Sequence, residues 1–477
     1  MTPSTPVPAR RLGVVVLAAG LGTRMKSRLP KVLHPLCGQP MLAYVLDACD
    51  GLAGSAAIRP IVVDSPATEV LRAVVGERAD VARQAVPRGT GDAVAAALPA
   101  LPDDLEEVLV VSGDVPLVET ADLSAVLEAR RLDDAAMALL SVDAADPGAL
   151  GRILRSGFGT VERIVEAKDA TPDELVTTEV NAGVYAFDAP WLRRRLADLQ
   201  PSAASGELYL TDLVRLARED GRIVSAVALE DDGRLEGIND RAQLAAAEWS
   251  LRVRLNERWM RAGVTMRDPS TAYLDWGVEL AEDVLLEPNV VLRGRTSVGS
   301  GSTVGAGSQI VDSAIGAGCL VWASVVESSV VEDGARIGPY AHLRPGSHVG
   351  PGAEVGNFAE IKSSRLGAGV KQHHVSYLGD ASIGDGTNVG AGTITANYDG
   401  RRKHRTTIGR RVFLGVDTML VAPLEIGDDA RTGAGAVVAK DVPPGMLAVG
   451  VPARLRTPRP HDPEPAGDDA PGRDEGR

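Results

Sequence analysis

Along the second half of the chain an aliphatic residue recurs at every sixth position, at Val325, Val331, Ile337, Leu343, Val349, Val355 and Ile361. The same spacing joins Val298, Val304 and Ile310, and later Ile408, Leu414, Leu420 and Ile426. A period of six matches neither a helix nor the alternation of a strand, so it marks an architectural repeat. Three successive hexads would form one turn of a coil, each contributing a short parallel strand. The aliphatic residue then points inward, and Gly, Asn or Asp takes the corners. The repeat occupies roughly 278–440 and lapses twice, at 370–377 and 396–407, in stretches rich in His, Tyr, Asn, Lys and Arg. A coil of this kind leaves one end uncovered, which predicts a cap or self-association.

The first half carries a different pattern. Gly13–Ala18, Ile61–Val63 and Val108–Val111 are short apolar runs that predict buried strands, and Ala- and Leu-rich stretches at 92–100 and 121–131 predict helices. Strands alternating with helices imply an α/β domain with a largely parallel sheet, whose ligand sites lie beyond the carboxyl ends of the strands. Asn239-Asp240 supplies helix-cap chemistry, and Leu244, Ala247, Leu251 and Leu255 follow at helical spacing. The expected organisation is a disordered N-terminus (1–10), an α/β domain (11–240), a linker helix (241–262) ending near Gly263, a repeat domain (263–450) and a disordered tail (451–477).

Composition narrows the function. Aromatic residues make up only 3% while glycines number 52, which suits a thin aliphatic core with many tight turns. A net charge of −14 disfavours a general nucleic-acid binder and leaves room for a local basic site. The three cysteines (Cys37, Cys49 and Cys319) are scattered, with no C-x-x-C pair, so neither a disulfide framework nor a structural zinc is expected. No apolar leader and no long apolar stretch is present, which predicts a cytoplasmic protein without membrane insertion.

After the first expected strand comes L-A-A-G-L-G-T-R-M-K-S-R-L-P-K, from Leu17 to Lys31. Gly20 and Gly22 would let backbone N–H groups approach a phosphate, and Arg24 and Lys31 add cationic partners. No G-K-[ST] follows, so this is not a Walker motif. V-L-V-V-S-G-D places Asp114 just past a strand. Together these features resemble the sugar-1-phosphate nucleotidylyltransferases, which use a Rossmann-like domain to join a nucleoside triphosphate to a sugar phosphate. The resemblance implies that Asp114 and Asn239 hold Mg²⁺, and that Leu17, Gly20, Arg24 and Lys31 contact UTP. It further implies that Gln84, Gly89 and Thr90 read the uracil edge, and that Gly151, Glu166 and Asn181 hold the sugar, with Asn239 also on the nucleotide product.

With the repeat half added, the chain resembles, from about residue 12 to about 450, a bacterial bifunctional family. Its members combine N-acetylglucosamine-1-phosphate uridylyltransferase and glucosamine-1-phosphate N-acetyltransferase activities. The resemblance implies a left-handed parallel β-helix of hexapeptide repeats, a homotrimer, and acetyl-CoA and UTP as co-substrates. The product, UDP-N-acetylglucosamine, would feed peptidoglycan and other cell-envelope synthesis.

In the first lapse, K-Q-H-H-V-S-Y, His374 matches the catalytic base. The chemistry needs one, because the amine of glucosamine must lose a proton to attack a thioester carbonyl. No third ligand accompanies the His-His pair at coordinating spacing, which argues against a metal there. Glu360 is expected to orient the imidazole. Arg344, Lys362, Tyr377 and Asn388 match residues for glucosamine-1-phosphate, and Asn397, Tyr398, Lys403, Val416 and Ala434 match residues for acetyl-CoA.

Five positions depart from the family pattern. Asp92 stands where many members have His, Leu150 replaces an aromatic, and Ala182 replaces a Thr. Val416 replaces a serine, and Val451 stands where an arginine is usual, with Arg454 or Arg456 nearby. The competing reading is a monofunctional nucleotidylyltransferase whose hexads serve only assembly. His374, Tyr377, Arg344 and Lys362 oppose it, since a scaffold has no need of that set. A non-catalytic assembly protein is opposed by Arg24, Lys31, Asp114 and Asn239.

Overall fold

In the computed structural model, residues 11–52, 58–203 and 205–457 are described; the expected N-terminal tail and residues 458–477 lie outside them. The chain divides into two compact units between Leu251 and Arg252, inside the helix Arg241–Arg261.

The first unit is built on the apolar runs of the N-terminal half. Its sheet runs in the order Val224–Leu229, Met137–Asp143, Glu179–Asp188, Glu107–Ser112, Leu12–Leu17, Ile61–Asp64 and Asp80–Arg83, and the hairpin of Arg152–Arg155 with Val161–Val165 hangs from it. All neighbours in that order pair parallel except Glu179–Asp188, which is antiparallel to both of its partners. The central strands are buried on both faces, which is why they read as continuous Val and Leu runs. Helix Thr120–Leu132 is tied to the edge of this core by charge. The fully buried Glu107 carboxylate accepts from Arg130 at 2.6 Å and from Arg131 at 2.5 Å. Burial alone would raise the Glu107 carboxyl, but the hydrogen bonds from Arg131 and Arg130 outweigh it and hold it below its ordinary range.

Helix Arg241–Arg261 begins as its sequence requires. Asp240 Oδ1 accepts from the backbone N–H groups of Ala242 and Gln243, both at 2.9 Å. Its C-terminal turn is followed by Gly263 at φ +99°. Trp259 and Met260 pack against the first turns of the coil, and buried Asn256 donates to the carbonyls of Pro269 and Ala272.

The second unit is a coil of three parallel sheets with 12, 10 and 9 strands, each strand pairing with the third one on. Tyr273 pairs with Val291 and Val291 with Gln309, so a turn at this end is three hexads. Val298, Val304, Ile310, Val331, Leu343 and Ile361 all point into the coil and are buried. The architecture is that of the left-handed parallel β-helix of hexapeptide repeats.

Most corners follow one pattern. In most six-residue steps the third residue after the inward one is left-handed, as at Asp283, Asn289, Gly301, Gly307, Gly352, Arg411 and Asp429. Several steps have only five residues, and there the second residue is left-handed. Asp312, Ala323, Ser328, Ser363 and Asp380 are these corners. One of these steps corrects the register read from sequence. Val326, not Val325, is the inward residue, and the step to Val331 is one residue short. Tyr340 and Phe358 occupy left-handed corners although bulky side chains avoid that region, and their exposed rings stack at 5.5 Å.

The two lapses differ in kind. The second, 396–407, is an inserted loop between strands Ile394–Ala396 and Thr406–Ile408, held by a bridge between Tyr398 and Lys403. The first is no interruption of the coil. Strand Lys371–Gln372 pairs in register, with Gln372 opposite Val355 and fully buried in the aliphatic column. Between Gln372 and Leu378 no residue is left-handed; instead Gln372 Nε2 donates to Ser376 Oγ at 2.7 Å, which donates to the His374 carbonyl at 2.8 Å.

The tail boundary also shifts. Strand Arg454–Arg456 folds back antiparallel onto Leu447–Val449, so regular structure continues beyond residue 450.

The Gln372 Oε1 atom is buried without a hydrogen-bond partner among the described residues. A buried unpaired amide oxygen costs more than the single bond its amide makes, so Gln372→Leu should raise unfolding stability by about 1 kcal/mol. Denaturant unfolding of the two proteins checks this; a lower midpoint for Gln372→Leu would show that the amide is worth more than its desolvation.

Candidate functional site

In the first unit, three segments meet past the carboxyl ends of neighbouring strands. Asp114 follows strand Glu107–Ser112, Lys31 lies on the loop after strand Leu12–Leu17, and Asn239 precedes the long helix. Lys31 Nζ bridges the Asp114 carboxylate and Asn239 Oδ1, the latter at 3.2 Å, and Arg24 donates to the same Asn239 oxygen at 2.9 Å. Gly22 is needed here for two reasons. It is left-handed at φ +58°, and a Cβ on it would lie 2.6 Å from the Lys31 Cβ. Gly20, by contrast, faces open space.

Beside this cluster, Gln84 is buried, and Nε2 of its amide donates to the Gly89 carbonyl at 3.1 Å and to Asp92 Oδ2 at 2.8 Å. Gly89 is at φ +110° with the Leu208 carbonyl 2.5 Å from where a Cβ would be, and Thr90 Oγ1 accepts from the Leu210 N–H. On the next strand edge, Asn181 receives Gly183 N–H and donates to the Tyr185 hydroxyl, while its backbone N–H reaches the Gly151 carbonyl. Glu166 accepts from Thr211 and lines a cavity of about 560 Å³ with Arg163, Lys168, Asp169 and Tyr209. Burial raises the Glu166 carboxyl above its ordinary range, with the Thr211 hydrogen bond partly opposing it. Leu150 is partly buried against the core and Ala182 is buried within it, so those two departures are absorbed by packing.

Two oxygens, one carboxylate and one amide, thus converge on a single cation. That donor set suits Mg²⁺, which takes one or two protein oxygens and completes its shell with phosphate and water. Among the described residues no group of three or more His, Cys, Asp and Glu side chains could hold a metal.

In the second unit, the 10-stranded face carries the expected chemistry. His342, Glu360 and Tyr377 stack in one outward column, and Arg344, Lys362 and Gly379 stack in the next. Gly379 is what lets them converge, since a Cβ there would lie 2.4 Å from the Tyr377 hydroxyl and 2.7 Å from Asn397 Nδ2. Buried Thr395 pins it, accepting from its N–H at 2.7 Å. Asn397 in turn donates to Asp380 at 2.5 Å. Lys403 comes from the inserted loop close to Lys362, whose contact and charge lower the Lys403 ammonium from its ordinary value. Two ammonium groups held together make a place for an anion.

His374 flanks this face at a corner. Its neighbour His373 is engaged by Glu354 at 2.8 Å, whereas the His374 ring is exposed and has no hydrogen-bond partner among the described residues. Glu360, expected to orient the imidazole, is placed on the outward column of this face. Its carboxylate accepts from Arg344 at 2.8 Å, and among the described residues no hydrogen bond joins it to His374.

His374, Val416 and Ala434 each sit two residues past an inward position, at Gln372, Leu414 and Thr432, so they stack along one corner of the coil. Ala391 belongs to the same corner, between His374 and Val416, and the sequence reading missed it. Its only signal was its place two residues after Val389. Asn388 stands on a different face, paired between Lys371 and Phe413. Val451 lies exposed in the turn before the final strand.

Comparison with known proteins agrees with both halves. Residues 14–167 match the MobA-like NTP transferase domain family, residues 328–363 the bacterial transferase hexapeptide (six repeats), and residues 405–440 the hexapeptide repeat of succinyl-transferase. The bifunctional protein GlmU of Kineococcus radiotolerans is 45% identical over 94% of this chain and 91% of its own length. That of Sorangium cellulosum is 47% identical over 92% and 93%, and that of Mycobacterium tuberculosis strain H37Ra is 44% identical over 91% and 89%. The chain belongs to the family of the bifunctional protein GlmU.

Proposed function

We propose that the C-terminal unit transfers an acetyl group from acetyl-CoA to glucosamine-1-phosphate. The N-terminal unit then transfers a uridylyl group from UTP to the N-acetylglucosamine-1-phosphate formed. The observation that carries this reading is that each compact unit holds its own chemical cluster, Lys31–Asp114–Asn239 in one and Lys362–Tyr377–Asn397–Lys403, with the exposed ring of His374 at the flanking corner, in the other.

For acetyl transfer, Arg344, Lys362 and Lys403 bind the sugar phosphate. His374 takes a proton from the amine, whose lone pair attacks the thioester carbonyl, and the CoA thiolate leaves. Glu360 holds Arg344 and is the carboxylate that would orient the imidazole. Val416 and Ala434, with Ala391, offer a corner edge of backbone and small side chains for the extended arm of acetyl-CoA, and Asn397 and Tyr398 close it from the loop side. Asn388 completes the sugar site from the neighbouring face.

For uridylyl transfer, Gln84, Gly89 and Thr90 take the base, and Leu17, Gly20, Arg24 and Lys31 take the phosphates. Gly151, Glu166 and Asn181 take the sugar. A phosphate oxygen of the sugar attacks the α-phosphorus of UTP and pyrophosphate leaves, so catalysis is positioning plus charge stabilisation by Arg24 and Lys31. Asp114 and Asn239 would hold Mg²⁺, which neutralises phosphate charge when bound.

The assembly we read is a homotrimer. Tyr340 and Phe358 keep strained, exposed rings on the corner that also carries Val375 and His374, and a neighbouring coil would cover them. The domains follow as 11–240, a linker helix and a coil domain from 263. No described helix is long and apolar enough to cross a membrane, and the reading places the enzyme in the cytoplasm with its substrates.

Two variants test the division of labour when CoA thiol and pyrophosphate release are followed separately. His374→Ala should lower CoA release by about a hundredfold or more and leave pyrophosphate release from supplied N-acetylglucosamine-1-phosphate near wild type. Asp114→Ala should do the reverse, by a similar factor. CoA release at the wild-type rate from His374→Ala would remove the histidine from the mechanism.

A further inference from the structure

We propose that Asp92 determines which edge Gln84 turns to the nucleobase, and thereby makes the site select an imide pyrimidine over an amino pyrimidine. The inference rests on the reading of Gln84 as the residue that meets the base.

The orientation of a glutamine amide is set by its partners, and here both partners are fixed acceptors. Nε2 donates to the Gly89 carbonyl at 3.1 Å and to Asp92 Oδ2 at 2.8 Å. A carbonyl cannot donate. The Asp92 carboxylate accepts from Arg88 on its other oxygen at 2.7 Å, so its Oδ2 faces the amide as an acceptor. A flipped amide would set Oε1 against two oxygens and leave both N–H bonds unmade, so the flipped state is excluded. Both amide protons are therefore consumed within the protein. The remaining group is Oε1, an acceptor, and among the described residues none donates to it.

The frame around the amide does not let this arrangement relax. Gly89 cannot withdraw, because it is left-handed and packed on the Leu208 backbone, whose N–H also reaches the Arg88 carbonyl at 2.7 Å. The Gln84 backbone donates to the Asp64 carbonyl at 2.8 Å, and the buried Asp64 carboxylate is itself held by Arg72 and Arg83. Asp92 lies in the first turn of helix Thr90–Ala97, where the helix end favours a negative charge.

An acceptor aimed at the base edge pairs with the N3–H of uracil. Cytosine presents a lone pair at N3, so two acceptors would face each other with no donor between them. Sites that leave a buried polar group unpaired reject the wrong ligand strongly. Removing Asp92 frees one amide proton and lets the amide turn. A turned Gln84 offers N–H to cytosine N3, and the preference weakens.

The test measures kcat/KM for UTP and for CTP by pyrophosphate release, using the full chain with N-acetylglucosamine-1-phosphate and Mg²⁺. Wild type is compared with Asp92→Leu, Asp92→Ala, Asp92→Asn and Gln84→Ala. Asp92→Leu and Asp92→Ala should lower the UTP-to-CTP ratio by about tenfold or more. Asp92→Asn keeps an acceptor oxygen for Gln84 and should hold the ratio within about threefold of wild type. An equal loss on both nucleotides in Asp92→Leu and Asp92→Ala would mean a purely structural role and overturn the proposal. If Gln84→Ala collapses the ratio while Asp92→Leu preserves it, Gln84 reads the base without help from Asp92. If Gln84→Ala itself preserves the ratio, the underlying reading of Gln84 falls as well.

Discussion

The coil works under one geometric constraint: each step buries one inward side chain, and most steps turn on one left-handed residue. Inward positions are filled mostly by Val, Ile and Leu, and corners mostly by Gly, Asn, Asp and a few others forced into that conformation. A wall built this way has no freedom along its length, because each strand's register is fixed by the turns before and after it. Chemistry can therefore be added only on the outward positions, at the corners, or as an insertion between rungs. All three are used. Arg344, Lys362 and Tyr377 are outward, His374 is at a corner, and Lys403 arrives on the insertion.

The corner at His374 is one place where that pattern is relaxed. It has no left-handed residue, and the buried Gln372 replaces an aliphatic to hold Ser376, which in turn holds the His374 carbonyl. The stability given up inside the coil is exchanged for a defined backbone under an otherwise free imidazole. In the N-terminal unit the equivalent role belongs to glycine. Gly22 and Gly89 sit left-handed against Lys31 and Leu208, so the phosphate loop and the base-reading loop are shaped by what the absent side chains would strike.

Much of this was legible in the residues. The six-residue beat identified the inward column from Val331 to Ile361, and the alternation of apolar runs with helical stretches identified the largely parallel sheet of the α/β unit, though not its antiparallel strand Glu179–Asp188. Asp114, Asn239 and Lys31 were singled out from separate segments, and the fold brings them together. Other features have no local signal. A five-residue step differs from a six-residue step by one corner residue, so Val325 and Val326 are indistinguishable until the chain is coiled. The partner of Glu360 is Arg344 because they lie on adjacent columns one turn apart, a relation that depends on register. Ala391 is a small apolar residue with no chemistry of its own, and only its place between His374 and Val416 marks it. The strand Arg454–Arg456 lies in a Pro- and Arg-containing stretch whose pairing is decided by the end of the coil rather than by its composition.

If the acetyl site is assembled by convergence over a missing side chain, a single methyl group should dismantle it. Gly379→Ala would place a carbon within 2.4 Å of the Tyr377 hydroxyl and 2.7 Å of the Asn397 amide, at a residue whose backbone is not left-handed. The decisive measurement is CoA release by Gly379→Ala beside its thermal unfolding and its pyrophosphate release. The account predicts acetyl transfer lowered by about tenfold or more, with unfolding and uridylyl transfer close to wild type. Acetyl transfer at the wild-type rate from a fully folded Gly379→Ala would contradict it.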